Sequence, residues 1–142
     1  MNNLHPMVVH FPIALLLSAW LLDVLALVTR RPHLHRFALC HLILGVIGAG
    51  AAVLTGLQAE DMAKHSFEMG QVMELHERCG IATLILGVGI VAWRLWRRDR
   101  WTPLTRAATM TLMTALASTV SVGAYLGGRL VYELGIGGSF GR

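Results

Sequence analysis

The sequence predicts an all-α integral membrane protein, a four-helix up-down bundle forming a single membrane domain over 1–142, on three observations. Four apolar runs, each long enough to cross a bilayer, alternate with short polar segments. Hydrophobic residues make up 55% of the chain and charged residues 14%, where an ordinary soluble domain carries about 25% charged. The basic residues gather in turns between the apolar runs, which makes them topology signals. No nucleic-acid partner is therefore expected in spite of a net charge of +4. The partner implied throughout is membrane lipid.

Helix one is expected at about 7–28, where the only ionisable side chains are His10 and Asp23. Pro6 suits a first helical turn, with His5 just outside it as the cap. Pro12 lies inside the helix, removes the hydrogen bond to Val8 and should bend the chain beside His10. The run is longer than a typical signal-peptide core and lacks Lys or Arg before it, so it is expected to be retained. Asp23 falls near the other surface, within reach of Arg30, Arg31 or Arg94 as a structural ion pair. The turn Arg30-Arg31-Pro32-His33-Leu34-His35-Arg36 separates helix one from helix two, expected at about 37–57. Gly48, Ala52 and Gly56 recur every four residues on helix two, a face that permits close helix packing or leaves room for a flat ligand.

Residues 58–79 form the longest polar stretch, expected as an amphipathic helix leading into helix three at about 73–96. Met62, His65, Met69, Met73 and His76 share one face of it, within an arc of roughly 80°. The second basic turn is flanked by Trp93, Trp96 and Trp101, as in an interfacial aromatic belt. Helix four is expected at about 105–132, with Gly123-x-x-x-Gly127 as a packing face. The glycine-rich tail from Gly135 is expected to lie over the outer surface. Eight of the twelve Lys and Arg residues fall in the turns after helices one and three. The positive-inside rule puts these turns in the cytoplasm, so the expected location is the bacterial inner membrane, multi-pass, with both termini periplasmic. Cys40 and Cys79 fall at opposite faces and cannot bridge.

The segment His5-Pro6-x-x-Val9-His10-Phe11-Pro12-Ile13-Ala14-Leu15, with Gly127-Gly128-x-Leu130-Val131-Tyr132-Glu133 near the other end, resembles a family of small bacterial predicted membrane proteins of unknown function. The resemblance spans almost the whole chain and implies four transmembrane helices whose histidines have the look of b-type haem ligands. Many members carry a histidine where this chain has Leu134, so a role resting on that position is not available here.

Histidine depth carries the functional reading. His5, His10, His65 and His76 belong to the outer side, and His33, His35 and His41 to the inner. His10 and His76 enter from one face on different helices, as two imidazole ligands to one haem iron require. They are the expected metal ligands. His5 and His65 would stand near the pocket mouth, and Lys64, Arg78 or Arg129 would meet the propionates. His5 and His10, about 140° apart on an unbroken helix, should not share one metal. A second haem would need a partner for His41 that helices three and four do not offer at that depth, so one haem b per chain is expected. The methionine–histidine stripe also suits copper(I), or plain core filling. The expected function is a small b-type cytochrome or haem-binding electron-transfer subunit, more an electron carrier than a stand-alone enzyme. Quinol and a periplasmic redox partner are its expected partners. The competing expectation is a cofactor-free structural or assembly subunit, in a homodimer or a larger membrane complex. No catalytic nucleophile, paired-carboxylate arrangement or phosphate loop is apparent.

Overall fold

A computed structural model of the chain describes residues 5–60, 67–97 and 102–135. Five helices make up these segments: α1 (His5–Val8), α2 (His10–Thr29), α3 (Leu34–Glu60), α4 (Phe67–Trp96) and α5 (Pro103–Tyr132). Together α1 and α2 are one span, interrupted at Val9, whose backbone stays right-handed helical with φ −63° and ψ −28°. The cause is Pro12, which has no N–H to give the Val8 carbonyl. The ladder continues on either side, from Val9 N to His5 O and from Ile13 N to Val9 O.

α2 ends where Arg30 turns left-handed, with φ 56°, and its N–H reaches Ala26 O. Pro32 prevents the helix from resuming at once, and α3 begins at Leu34. That is three residues before the expected start of helix two, and the helix runs three residues past the expected end at 57. From Phe67 on, the polar stretch leads into helix three without a break, as the single helix α4, continuous to Trp96. Gly70 falls in the first turn of this helix, and a single glycine does not end a helix packed elsewhere. α5 opens on a capping box between Thr102 and Thr105, with Pro103 in the first turn. Met62, Lys64, His65, Arg98, Arg100, Trp101 and the tail from 136 lie outside the described residues.

The fold is an all-α four-helix bundle, and its described helices include four spans long and apolar enough to cross a membrane. The helices pack in a ring in which α2 meets α3, α3 meets α4, α4 meets α5, and α5 closes on α2. Leu16, Leu42, Ile90, Met113 and Leu116, drawn from all four spans, are fully buried at its centre. Leu21, Ile47, Ile85 and Val122 face outward, as lipid contact allows. Close approach depends on glycine at two points. A Cβ on Gly45 would stand 2.7 Å from Leu16 Cδ2, and one on Gly87 2.6 Å from Val46 Cγ2. The Gly48–Ala52–Gly56 face packs on the first span, with Gly48 against Phe11 and Pro12 and Gly56 against the His5 ring. At the basic end, the Arg97 guanidinium lies 4.9 Å from the Trp93 ring and 4.6 Å from the Trp96 ring.

Candidate functional site

Two groups of polar side chains meet across the middle of the bundle, one at each end. At the end where α1 and α4 begin, the rings of His5 and His76 lie with centroids 6.0 Å apart and planes at 84°. Each ring is held by the next membrane span in the chain, His5 by α3 and His76 by α5. His76 Nδ1–H donates to Gly123 O at 2.9 Å. His5 Nδ1 lies 3.2 Å from Thr55 Oγ1, and the Thr55 hydroxyl has Ala51 O at 3.0 Å to donate to, so the imidazole N–H is the donor to Thr55. In neutral rings with these tautomers the lone pair sits on Nε2. Each imidazole also rests on a glycine. A Cβ on Gly56 would be 3.1 Å from His5 Cε1, and one on Gly127 3.1 Å from His76 Cε1, so any larger side chain there moves the ring.

The structure brings His5, expected near the pocket mouth, into contact with the His76 ring. The His10 side chain is exposed, and its Nδ1–H donates back to Pro6 O at 2.5 Å. The reason is helical phase. Five residues rotate about 140°, and the break at Val9 does not undo that rotation, so with His5 turned inward His10 points away. His5 is also inside the helix, as its first described residue, and not a cap outside it. His65 lies outside the described residues. Arg129 pairs with Glu133, Nε to Oε2 at 2.7 Å, one helical turn on. Met73 packs against Val72, Leu126 and Leu130 as core filling.

At the opposite end Asp23 and Arg94 form a buried pair, 1% and 3% exposed. Arg94 donates to both carboxylate oxygens, at 2.6 and 3.3 Å, and to His35 O at 2.9 Å. His35 Nδ1–H donates to Asp23 Oδ1 at 2.7 Å. Of the three arginines within reach of Asp23 in the sequence, the fold selects Arg94. His41 Nδ1 pairs with Ser18 Oγ at 2.7 Å on the neighbouring α2. Among the described residues no three His, Cys, Asp or Glu side chains converge as a metal cage, so the two-histidine pair is the site to consider.

These two groups share a relation absent from the reading of the sequence. A shift of 71 residues carries His5 to His76, Asp23 to Arg94, Pro32 to Pro103 and Gly56 to Gly127. It also carries buried Ala19, Leu42 and Ala49 to buried Ile90, Met113 and Val120. The chain is two helical hairpins of like design, and at each end the equivalent residues of the two halves meet each other. Because His5 precedes Asp23, and His76 precedes Arg94, by the same 18 residues, the two meeting points stand about 27 Å apart, near the thickness of a bilayer core.

A ring of four apolar spans with its polar groups turned inward defines a multi-pass α-helical membrane protein. The chain belongs to the family described as predicted membrane protein (DUF2231), whose model matches residues 1–139. No curated protein and no solved structure matches it significantly.

Proposed function

We propose that the protein is a small b-type cytochrome or haem-binding electron-transfer subunit whose iron is held by His5 and His76. The observation that carries this reading is the pair of opposed imidazoles, each with Nδ1 engaged by a neighbouring helix. A ligating histidine binds its metal through one nitrogen and donates through the other, which fixes tautomer and ring direction. His5 and His76 would hold the iron, one imidazole from each half of the chain, with ring centroids 6.0 Å apart in the structure. The residues present thus fit bis-imidazole ligation. Haem would supply one-electron transfer, at a potential that its two ligands and its burial tune.

The chain's own residues do the rest. Gly123 O and Thr55 hold the rings in register, and Gly56 and Gly127 present backbone where a side chain would intrude. Arg129, at the same end of α5, would meet a propionate in place of Glu133. With the basic turns in the cytoplasm, the histidine pair faces the periplasmic side of a bacterial inner membrane, and quinol and a periplasmic redox protein are the matching donor and acceptor.

Ligand replacement tests the assignment. His5→Ala and His76→Ala should each remove most of the haem from purified protein, while His10→Ala keeps the native spectrum. Retention in both single variants, or loss in His10→Ala alone, defeats it. A chain that never takes up haem would instead be the cofactor-free subunit of a larger complex or homodimer.

A further inference from the structure

We propose that the groove at the basic end of the bundle binds the headgroup phosphate of an anionic phospholipid. The groove, about 1130 Å³, opens between the α2–α3 turn and the facing parts of α4 and α5. Arg30, Arg36 and Arg106 line it with exposed side chains, and no Asp or Glu is among its described lining residues. Arg94 also borders it, but Asp23 neutralises that charge. None of Arg30, Arg36 and Arg106 is in an ion pair among the described residues, so the surplus positive charge faces the groove.

Two further features fit a lipid better than a free anion. Leu27 and Leu95 form an apolar wall and are themselves part of the exposed outer surface, so an acyl chain can lie beside them while its phosphate meets the arginines. The groove also stands at the Asp23–Arg94 end, which the helix length puts at headgroup level. Basic pockets between helices at such a surface recognise anionic headgroups. Arg30 adds an independent mark. It occupies a left-handed helix stop with φ 56°, where glycine would sit without steric cost, and this position sends its side chain to the groove. The inference does not depend on the haem reading.

The test is native mass spectrometry of the full chain in neutral detergent, titrated with phosphatidylglycerol and, separately, phosphatidylcholine. Phosphatidylglycerol should be retained selectively. Arg30→Gln, Arg36→Gln and Arg106→Gln should each weaken it about fivefold, and the triple variant about a hundredfold. The single variants decide the matter if the triple does not fold. Arg78→Gln, whose exposed side chain pairs with Glu74 at the opposite end, should leave phosphatidylglycerol retention as it is. Equal retention of phosphatidylcholine, or an Arg78→Gln loss matching those of the groove arginines, overturns the proposal. So does full displacement of the lipid by inorganic phosphate, which would make the groove a site for a free anion.

Discussion

Removing Asp23 gives the sharpest test of how the two halves are joined. In Asp23→Asn, Arg94 keeps its charge at 3% exposure but loses the carboxylate that accepts its bonds at 2.6 and 3.3 Å. His35 loses a charged acceptor at 2.7 Å, and the guanidinium keeps His35 O at 2.9 Å and the one neutral amide oxygen of the substituted side chain as acceptors in place of a carboxylate. Leaving one member of a buried pair uncompensated costs about 3–5 kcal/mol, whereas replacing both with apolar groups is often close to neutral. Asp23→Asn and Arg94→Met should therefore each lose about 3–5 kcal/mol, and Asp23→Leu with Arg94→Met much less than the sum. The equivalence of positions 23 and 94 adds a stricter expectation. Asp23→Arg combined with Arg94→Asp should recover at least half of the single-variant loss, because the exchanged pair is what a swap of the two hairpins would produce. Unfolding in mixed micelles titrated with sodium dodecyl sulfate, followed by circular dichroism, reads these differences. Additive losses in the double variants, or a cost below about 1 kcal/mol for Asp23→Asn, would refute the coupling.

Glycine replacements should split by what their Cβ meets. Gly45→Ala and Gly87→Ala press on Leu16 and Val46 and should cost about 1–3 kcal/mol in the same unfolding assay. Gly89→Ala, exposed with nothing within 4 Å, should instead stabilise by about 0.5–1 kcal/mol. Thr55→Val removes the acceptor of His5 Nδ1–H and should lower haem affinity about 10–100-fold in a haem titration, with the fold unchanged by circular dichroism. Gly127→Val, whose Cβ would stand 3.1 Å from the His76 ring, should lower haem retention more than helix content.

The helices and their order were legible because a bilayer requires about 20 apolar residues for each span, and Pro32 and Pro103 punctuate the turns. The buried ion pair was legible to within three arginines. An acid in an apolar helix needs a partner, and choosing Arg94 over Arg30 or Arg31 required the crossing of α2 and α4. His35 was missed as the third member because the turn that brings it back to Asp23 depends on the left-handed Arg30. The contact of His5 with His76 was not legible from depth. Depth alone admits His5 and His10 equally, and the 140° between them matters only once a reference face is known. That face was present in the sequence. Gly48, Ala52 and Gly56 recur on α3, and their packing against Pro12, Phe11 and His5 turns His5 inward. Sliding the sequence on itself by 71 residues would have found the same answer, since His5, and not His10, lands on a histidine.

The most direct measurement of the proposed chemistry is a reduced-minus-oxidised visible spectrum of detergent-purified protein, with a pyridine haemochrome count per chain, on native protein and the His5→Ala, His76→Ala and His10→Ala variants. Low-spin b-haem bands at about one haem per chain, present in the native protein and in His10→Ala and lost from the other two, are the expected result. A preparation that stays colourless after haem is supplied, or bands that survive both the His5 and the His76 substitutions, contradicts it.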